Sequence, residues 1–600
     1  MFTTRPEIQG NFGVVASTHW LASGVGMSVL ERGGNAFDAA VATGLTLQVV
    51  EPHLNGPGGE VPMLIAKKGE APRVVCGQGV APEAATLERY TGLGLNIVPG
   101  TGLLSAVVPG AFDAWMMLLQ DYGTMRLRDV LLYAIHYANN GVPVLPNIAG
   151  TIGRVQDLFL DHWQSSAVVY LNKGKVPEIG SWFANPAIGA TYTRLLEEAE
   201  AQSASRDAQI EKAREVWREG FVAEAIDKFF RHEEVFDTSG AKNRGLLNGD
   251  DLAKWRASYE EPLSYDYKGF EVLKTGPWGQ GPVFLQQLAL LKGFDLDALD
   301  ATDPEFVHLV IEASKLAFAD REAFYCDPIL NAVPMDVLLS DSYNDARRTL
   351  ITDQASHELR PGVVDGFGGP VADRPKGQTY EGQNNTDLGE PTVARFDDLQ
   401  TSDNGATKGD TCHLDIIDRW GNMVTATPSG GWLQSSPVIP ELGFCLTNRA
   451  QMFWLDERSP NVIAPGKRPR TTLSVSMALR DGEPELVFGT PGGDQQDQWS
   501  LHHFLRMVHF GMNQQEAIDA PGFHTNHFPS SFYPREADLG HLVVEGRMPQ
   551  STIKALEAKG HRLDVDGDWT IGRMTSASKR DGILRAAANP RFMQGYALGR

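Results

Sequence analysis

The chain has 600 residues, 42% of them hydrophobic and 9% aromatic, the make-up of an ordinary globular protein large enough for two or more cooperating lobes. A formal charge of −22, with no basic stripe and no basic run interleaved with aromatics, argues against a nucleic-acid partner. No apolar run reaches the roughly 18 residues of a membrane helix.

The N-terminal MFTTRPEIQGNFGVVASTHW has neither the charged nor the apolar region of a secretory signal, so a cytoplasmic location is expected. The four cysteines, Cys76, Cys326, Cys412 and Cys445, lie far apart without CxxC spacing, which suits reduced thiols rather than a disulfide framework or a zinc site.

In chain order, the first 350 residues alternate helical and strand-like segments. LASGVGMSVLERGGNAFDAAVATGLTLQVV predicts two helices, the first closed by Gly33-Gly34. The segment from 196 to 235 is helical and rich in charge at i,i+4 spacing, mostly a solvated face. DPEFVHLVIEASKLAFADREAFY predicts a helix capped by Asp303, with Pro304 in its first turn and Phe306, Val310, Ala313 and Ala317 on one face. From 355 to 410 the chain is rich in Gly, Asp, Asn and Pro and reads as loop. Its Asn384-Asn385-Thr386 sequon carries no meaning without secretion.

Regular character returns at Thr411. HLDIIDRWGNMVTATP predicts a hairpin turning at Arg419-Trp420-Gly421-Asn422, which sets Thr411 opposite Ser429 within one residue of register. Such a pair can be a nucleophile and its orienting hydroxyl, or an ordinary cross-strand contact. Cys412 is expected to pack inward. Farther on, a strand at Leu486 to Phe488 leads through Thr-Pro-Gly-Gly into an amphipathic helix ending at Gly511. Gly492 and Gly493 then stand at a helix N-terminus, where backbone N–H groups can hold an oxyanion or the glycines simply permit the turn. His502 and His503 on that helix read as packing residues. No GxSxG elbow, HExxH helix or phosphate-binding loop is present.

Several blocks together resemble the γ-glutamyltransferases of the N-terminal-nucleophile hydrolases. These are GVVASTHWLASGVGMSVLERGGNAFDAAVA, LNGPGGEVPMLI, VPGAFDAWMMLLQDYGTMRLRDVLLYAIHYANNG, KLAFADREAFYCDP, PGKRPRTTLSVSM and AAANPRFMQGYALGR. The resemblance implies an α/β four-layer αββα sandwich, formed jointly by two fragments of one inactive precursor. The expected parts are a large-fragment portion over 1–354, a segment over 355–410 that moves aside after processing, and a small-fragment portion over 411–600. It also implies cleavage between Asp410 and Thr411, Thr411 as nucleophile, Ser429 as its hydroxyl partner, and Gly492 and Gly493 as the oxyanion hole. No metal or organic cofactor is implied, the substrate is a small amide, and homo-oligomerisation is left open.

The departures from the family pattern bear on the substrate. Gln78 stands where relatives have the arginine that binds the donor's α-carboxylate. Arg449 and Met452 stand where they have a glutamine and the acid that binds its α-ammonium. Thr471-Thr472 replaces a serine pair. These changes predict a donor with a carboxylate but no adjacent amine, held by Gln78, Arg449, Thr471 and Thr472, with a surface or inter-strand salt bridge as the alternative role for Arg449. Two other readings stay open: a carbon–carbon bond-cleaving relative in secondary metabolism, and a scaffold without activity.

Overall fold

The computed structural model describes residues 2–371 and 411–600. Asp410, the sequon and most of the 355–410 segment lie outside the described residues. Two antiparallel sheets of seven strands dominate the molecule. One runs, edge to edge, Tyr596–Gly599, Gly13–Ser17, Leu414–Asp418, Met423–Ala426, Val61–Ala66, Arg73–Gly77 and Ser258–Glu260. The other runs Ile8–Gly10, Ile583–Ala588, Thr575–Arg580, Glu483–Gly489, Val475–Arg480, Phe270–Lys274 and Leu263–Tyr267. Each sheet interleaves strands from before and after position 411, so neither half of the chain can complete a sheet alone.

Three buried clusters show the layering. Val14, Leu64, Cys76, Ile417 and Met423 of the first sheet meet Leu273, Val475, Met477 and Val487 of the second. On the outer face of the first sheet, Val15, Met63, Ile65, Leu414, Ile416 and Val424 pack beneath helices that include Trp20–Glu31, Ala36–Val50 and Ala111–Tyr122. On the outer face of the second, Val272, Ala478 and Phe488 pack beneath Pro282–Leu291, Pro304–Phe324 and Gln496–Phe510. Successive residues of a strand face opposite sides, so the inner strands are apolar throughout because both their faces are covered. The result is the expected αββα sandwich.

The local signals act as their chemistry dictates. The first helix ends at Glu31 and Gly33 takes φ +96° just beyond it. Asn35 then opens the next helix with a reciprocal cap involving Asp38. Asp303 caps Pro304–Phe324 by accepting the Glu305 N–H. The helical region expected over 196–235 is divided among Pro186–Gln202, Arg206–Glu219 and Phe221–His232, with breaks at Ser203 and Gly220. All four cysteines are free and buried. No described helix is long and apolar enough to cross a membrane.

One buried ion pair ties the second sheet to the helix that follows Gly493. Lys274 Nζ lies 2.8 Å from Asp497 Oδ1, both side chains fully buried, and Ser474 Oγ donates to the same oxygen at 2.7 Å. Burial pushes the Lys274 ammonium down and the Asp497 carboxyl up, each opposed by its partner. Lys274→Met leaves Asp497 uncompensated and is expected to cost about 3–5 kcal/mol in urea unfolding, with Lys274→Met/Asp497→Leu recovering most of the loss.

Candidate active site

The site follows from strand register. Leu414 pairs with Ala426 in the hairpin, and three residues farther out Thr411 bridges Ser429. Ser429 in turn bridges Glu60 on the next strand, with reciprocal backbone bonds of 2.8 and 3.0 Å. Val61 pairs with Gly77, so Gln78 extends the same row one strand farther. Alternation fixes the face: Cys412, Leu414 and Ile416 belong to the outer cluster, which turns Thr411 and its row toward the space between the sheets. Four polar residues, Thr411, Ser429, Glu60 and Gln78, thus form one line across four strands, all buried.

Within this row Thr411 Oγ1 and Ser429 Oγ are 3.2 Å apart. Arg449, in the short helical turn Arg449–Met452, donates from Nη2 to Ser429 Oγ at 2.5 Å and from Nε to Glu60 Oε1. Its guanidinium carbon lies 5.0 Å from the Trp432 ring centre. Burial raises the Glu60 carboxyl and the Arg449 charge opposes that rise. Neighbouring strands are about 4.8 Å apart, which sets Gln78 roughly 14 Å from Thr411. Gln78 Nε2 donates to Gly79 O at 3.1 Å, while its Oε1 is buried without a partner.

The facing sheet supplies the other wall. Its Glu483–Gly489 strand ends against His413, whose ring a Cβ on Gly489 would meet at 2.3 Å. The chain then turns through Gly492 (φ +132°) and Gly493 (φ +53°) into the helix. Gly493 O accepts from Gln280 Nε2 at 3.2 Å, Gln280 Oε1 accepts from Arg321 Nη1 at 2.8 Å, and Arg321 also pairs with Asp494. The Gly493 carbonyl is therefore held in place. Thr471 bridges Gly279, and Thr472 Oγ1 is buried without a partner. Two residues on, Ser474 O accepts from Thr427 Oγ1 at 3.2 Å, which ties this segment to the hairpin.

Arg573 links the two walls: its N–H donates to Thr490 Oγ1 at 3.1 Å and its Nη2 to Thr411 O at 3.3 Å. Cys412 faces away, with Sγ donating to Glu51 Oε2 at 3.0 Å, and burial pushes this thiol well above the ordinary range. It is an inert neighbour rather than a nucleophile. His502 and His503 are buried, and His502 stacks on Phe523 at 3.8 Å.

The structure thus brings together Thr411, Ser429 and Arg449, sets the Gly492–Gly493 turn on the facing wall, and keeps Gln78 at the far end of the row. Glu60, Arg573, Arg321 and Gln280 escaped the sequence reading. Only Glu60 left a signal, an acid directly after Gly58-Gly59 at the start of an apolar strand. Among the described residues, His308, Glu312 and His561 stand close enough to share a metal ion. They lie in the outer helix layer, however, and Glu312 is already held by Lys315 at 2.6 Å and Arg360 at 3.1 Å.

A hydroxyl at the point where a strand begins, a second hydroxyl beside it, and a helix-opening glycine turn across an αββα sandwich define the class of N-terminal-nucleophile hydrolases. The chain belongs to the γ-glutamyltranspeptidase family, whose model matches residues 22–598. It is 30% identical to the glutathione hydrolase-like YwrD proenzyme of Bacillus subtilis (strain 168) over 599 residues, covering 99% of each protein. The solved structure of LmbA2991HD matches with 53% identity and a TM-score of 0.92, covering 100% of both chains. The cephalosporin acylase from Bacillus halodurans matches with 28% identity and a TM-score of 0.82, covering 100% of this chain and 98% of that one. The protein is therefore an amidase-type enzyme of this family.

Gly492 gives this geometry a direct test. A Cβ there would lie 2.2 Å from the Trp499 ring, at a φ that other residues avoid. Gly492→Ala is expected to lower the melting temperature, read by calorimetry, because neither the strained turn nor the Trp499 ring leaves room for the methyl group.

Proposed function

We propose that this protein cleaves its own chain between Asp410 and Thr411, into fragments 1–410 and 411–600, and then uses Thr411 as the nucleophile of an amide hydrolase or acyltransferase. The observation that carries this reading is the register row, in which Thr411 leads into the Leu414–Asp418 strand, bridges Ser429 and faces the gap between the sheets.

A threonine hydroxyl attacks only if a base takes its proton. Cleavage would free the Thr411 α-amine, whose reference pKa of about 7.7–8.0 suits that role. Attack on the amide carbonyl forms an acyl-threonine ester and releases the amine. The Gly492–Gly493 turn holds the oxyanion, and water or an acceptor amine then takes the acyl group. Arg573, bonded to Thr411 O, keeps the new terminus in its strand position and sets a positive charge near the amine, which favours the neutral, basic form.

For the donor we propose a carboxylate-bearing acyl group without an adjacent amine, of the glutaryl or oxalyl type. Arg449 would bind the carboxylate, and Gln78, Thr471 and Thr472 would line the remainder. Met452, buried and apolar, offers no charge to an ammonium. Family membership leaves the donor open, since by their names one relative is glutathione hydrolase-like and another a cephalosporin acylase.

Denatured intact mass is the first check: two fragments are expected, the smaller beginning at Thr411, with Thr411→Ala remaining uncut. A single chain in both would sink the reading. In the processed enzyme kcat/KM should rise with pH through a midpoint at or below about pH 8 and then level off, because only the unprotonated amine is a base. Arg449→Lys keeps a charge beside Glu60 but loses the fork. It should narrow the preference for a carboxylate donor over its carboxamide analogue by about tenfold; an unchanged ratio would remove Arg449 from the donor pocket.

A further inference from the structure

Nothing in the chemistry above uses Glu60, yet it occupies the third place in the row, between Ser429 and Gln78. It is fully buried. Its Oε1 accepts from Arg449 Nε, and the Thr447 hydroxyl lies beside the carboxylate. The surroundings are shaped to admit the carboxylate: a Cβ on Gly430 would stand 2.6 Å from both of its oxygens, and Gly430 has φ +76°. An acid buried at this cost needs a compensating role.

Arg449 connects it to the nucleophile. A guanidinium only donates, so in the 2.5 Å contact with Arg449 Nη2 the Ser429 oxygen is the acceptor. Accepting from Arg449 leaves Ser429 its proton and a second lone pair, and Thr411 Oγ1, 3.2 Å away, is within reach of that proton. Arg449 can hold Ser429 this way only while its own plane is fixed. Glu60 fixes it at Nε, and the Trp432 and Phe532 rings flank its guanidinium carbon at 5.0 and 5.9 Å.

We propose that Glu60 and Arg449 are positioning residues that aim the Ser429 hydroxyl at Thr411 Oγ1, and so stabilise this oxygen while it carries charge. The inference rests on the reading of Thr411 as nucleophile. The charge develops twice: as Thr411 Oγ1 gives up its proton to the amine and attacks, and again when the acyl–oxygen bond breaks and the same oxygen leaves. In the second event the electron pair of the breaking bond returns to Thr411 Oγ1, and the amine's proton restores the hydroxyl. Ser429 donates a hydrogen bond throughout and loses no proton. Because the contact is worth more to the charged oxygen than to the neutral one, it acts on kcat rather than KM.

A double-mutant cycle on processed enzyme tests this, with Glu60→Gln, Ser429→Ala and the pair, using one donor and both steady-state and burst kinetics. Glu60→Gln keeps the volume and an acceptor for Nε but removes the charge. The expected result is a loss of about tenfold in kcat with KM little changed, accompanied by slower decay of the acyl-enzyme. In the Ser429→Ala background Glu60→Gln should cost almost nothing further, because its route to Thr411 is gone. Equal losses in both backgrounds, or a change confined to KM, would overturn the proposal and place Glu60 on the donor or in the framework. If Glu60→Gln fails to process, the cycle is run with Glu60→Asp, which keeps the charge but shortens its reach to Arg449 Nε, and the same outcomes decide. Wild-type enzyme that forms no acyl-threonine would instead defeat the reading of Thr411, and intact mass during the burst distinguishes that failure from additive losses in an enzyme that acylates.

Discussion

The rest of the structure depends on strand register. One continuous pairing across four strands aligns Thr411, Ser429, Glu60 and Gln78 on the inner face of one sheet. A slip of one residue in the hairpin would turn Thr411 toward the outer cluster and Cys412 inward, because faces alternate with period two. The hydrophobic pattern prevents the slip. Leu414 and Ile416 are committed to the outer cluster while Ile417 and Met423 are committed to the inner one, so the catalytic face is specified by residues that perform no chemistry.

Charge is used here for placement more than for stability. Lys274 with Asp497, Arg321 with Asp494 and Arg449 with Glu60 are all fully buried pairs. Desolvation offsets most of what such pairs gain, and apolar substitutes of equal volume often fold as well. An apolar pair cannot hold a peptide plane or a hydroxyl at a chosen angle, however. Each of these pairs ends on a part of the site: the helix start after Gly493, the carbonyl of Gly493 by way of Gln280, and the hydroxyl of Ser429. Their shared position suggests that the molecule accepts buried charge where geometry matters.

Much of the fold was legible in the sequence, and for identifiable reasons. Gly33-Gly34, Asp303 and the Arg419–Asn422 turn act locally, and local chemistry places an element boundary without knowledge of its neighbours. The hairpin reading also carried the opposition of Thr411 and Ser429, since two strands joined by a short turn have a countable register. Pairing between strands distant in the chain cannot be counted in this way. Glu60 meets Ser429 from 369 positions earlier in the chain (429 − 60), and Arg573 reaches Thr411 from 162 positions later. Both therefore stayed invisible, and Arg449, legible as a cation, did not disclose that its Nε is spent on an acid.

This last contact alters what a buried arginine can mean in the site. An isolated guanidinium between two sheets would draw any anion strongly, and would need one to remain charged at little cost. Paired with Glu60 it is electrically balanced before any substrate arrives, so what it offers a donor is directional hydrogen bonding rather than bulk attraction. Discrimination then falls on shape and on the placement of donors and acceptors, which are the quantities a register row between two covered sheets controls best. The sandwich can in this way change its acyl donor by altering a few inward side chains along one row, while the apolar residues of both clusters that fix the row remain as they are.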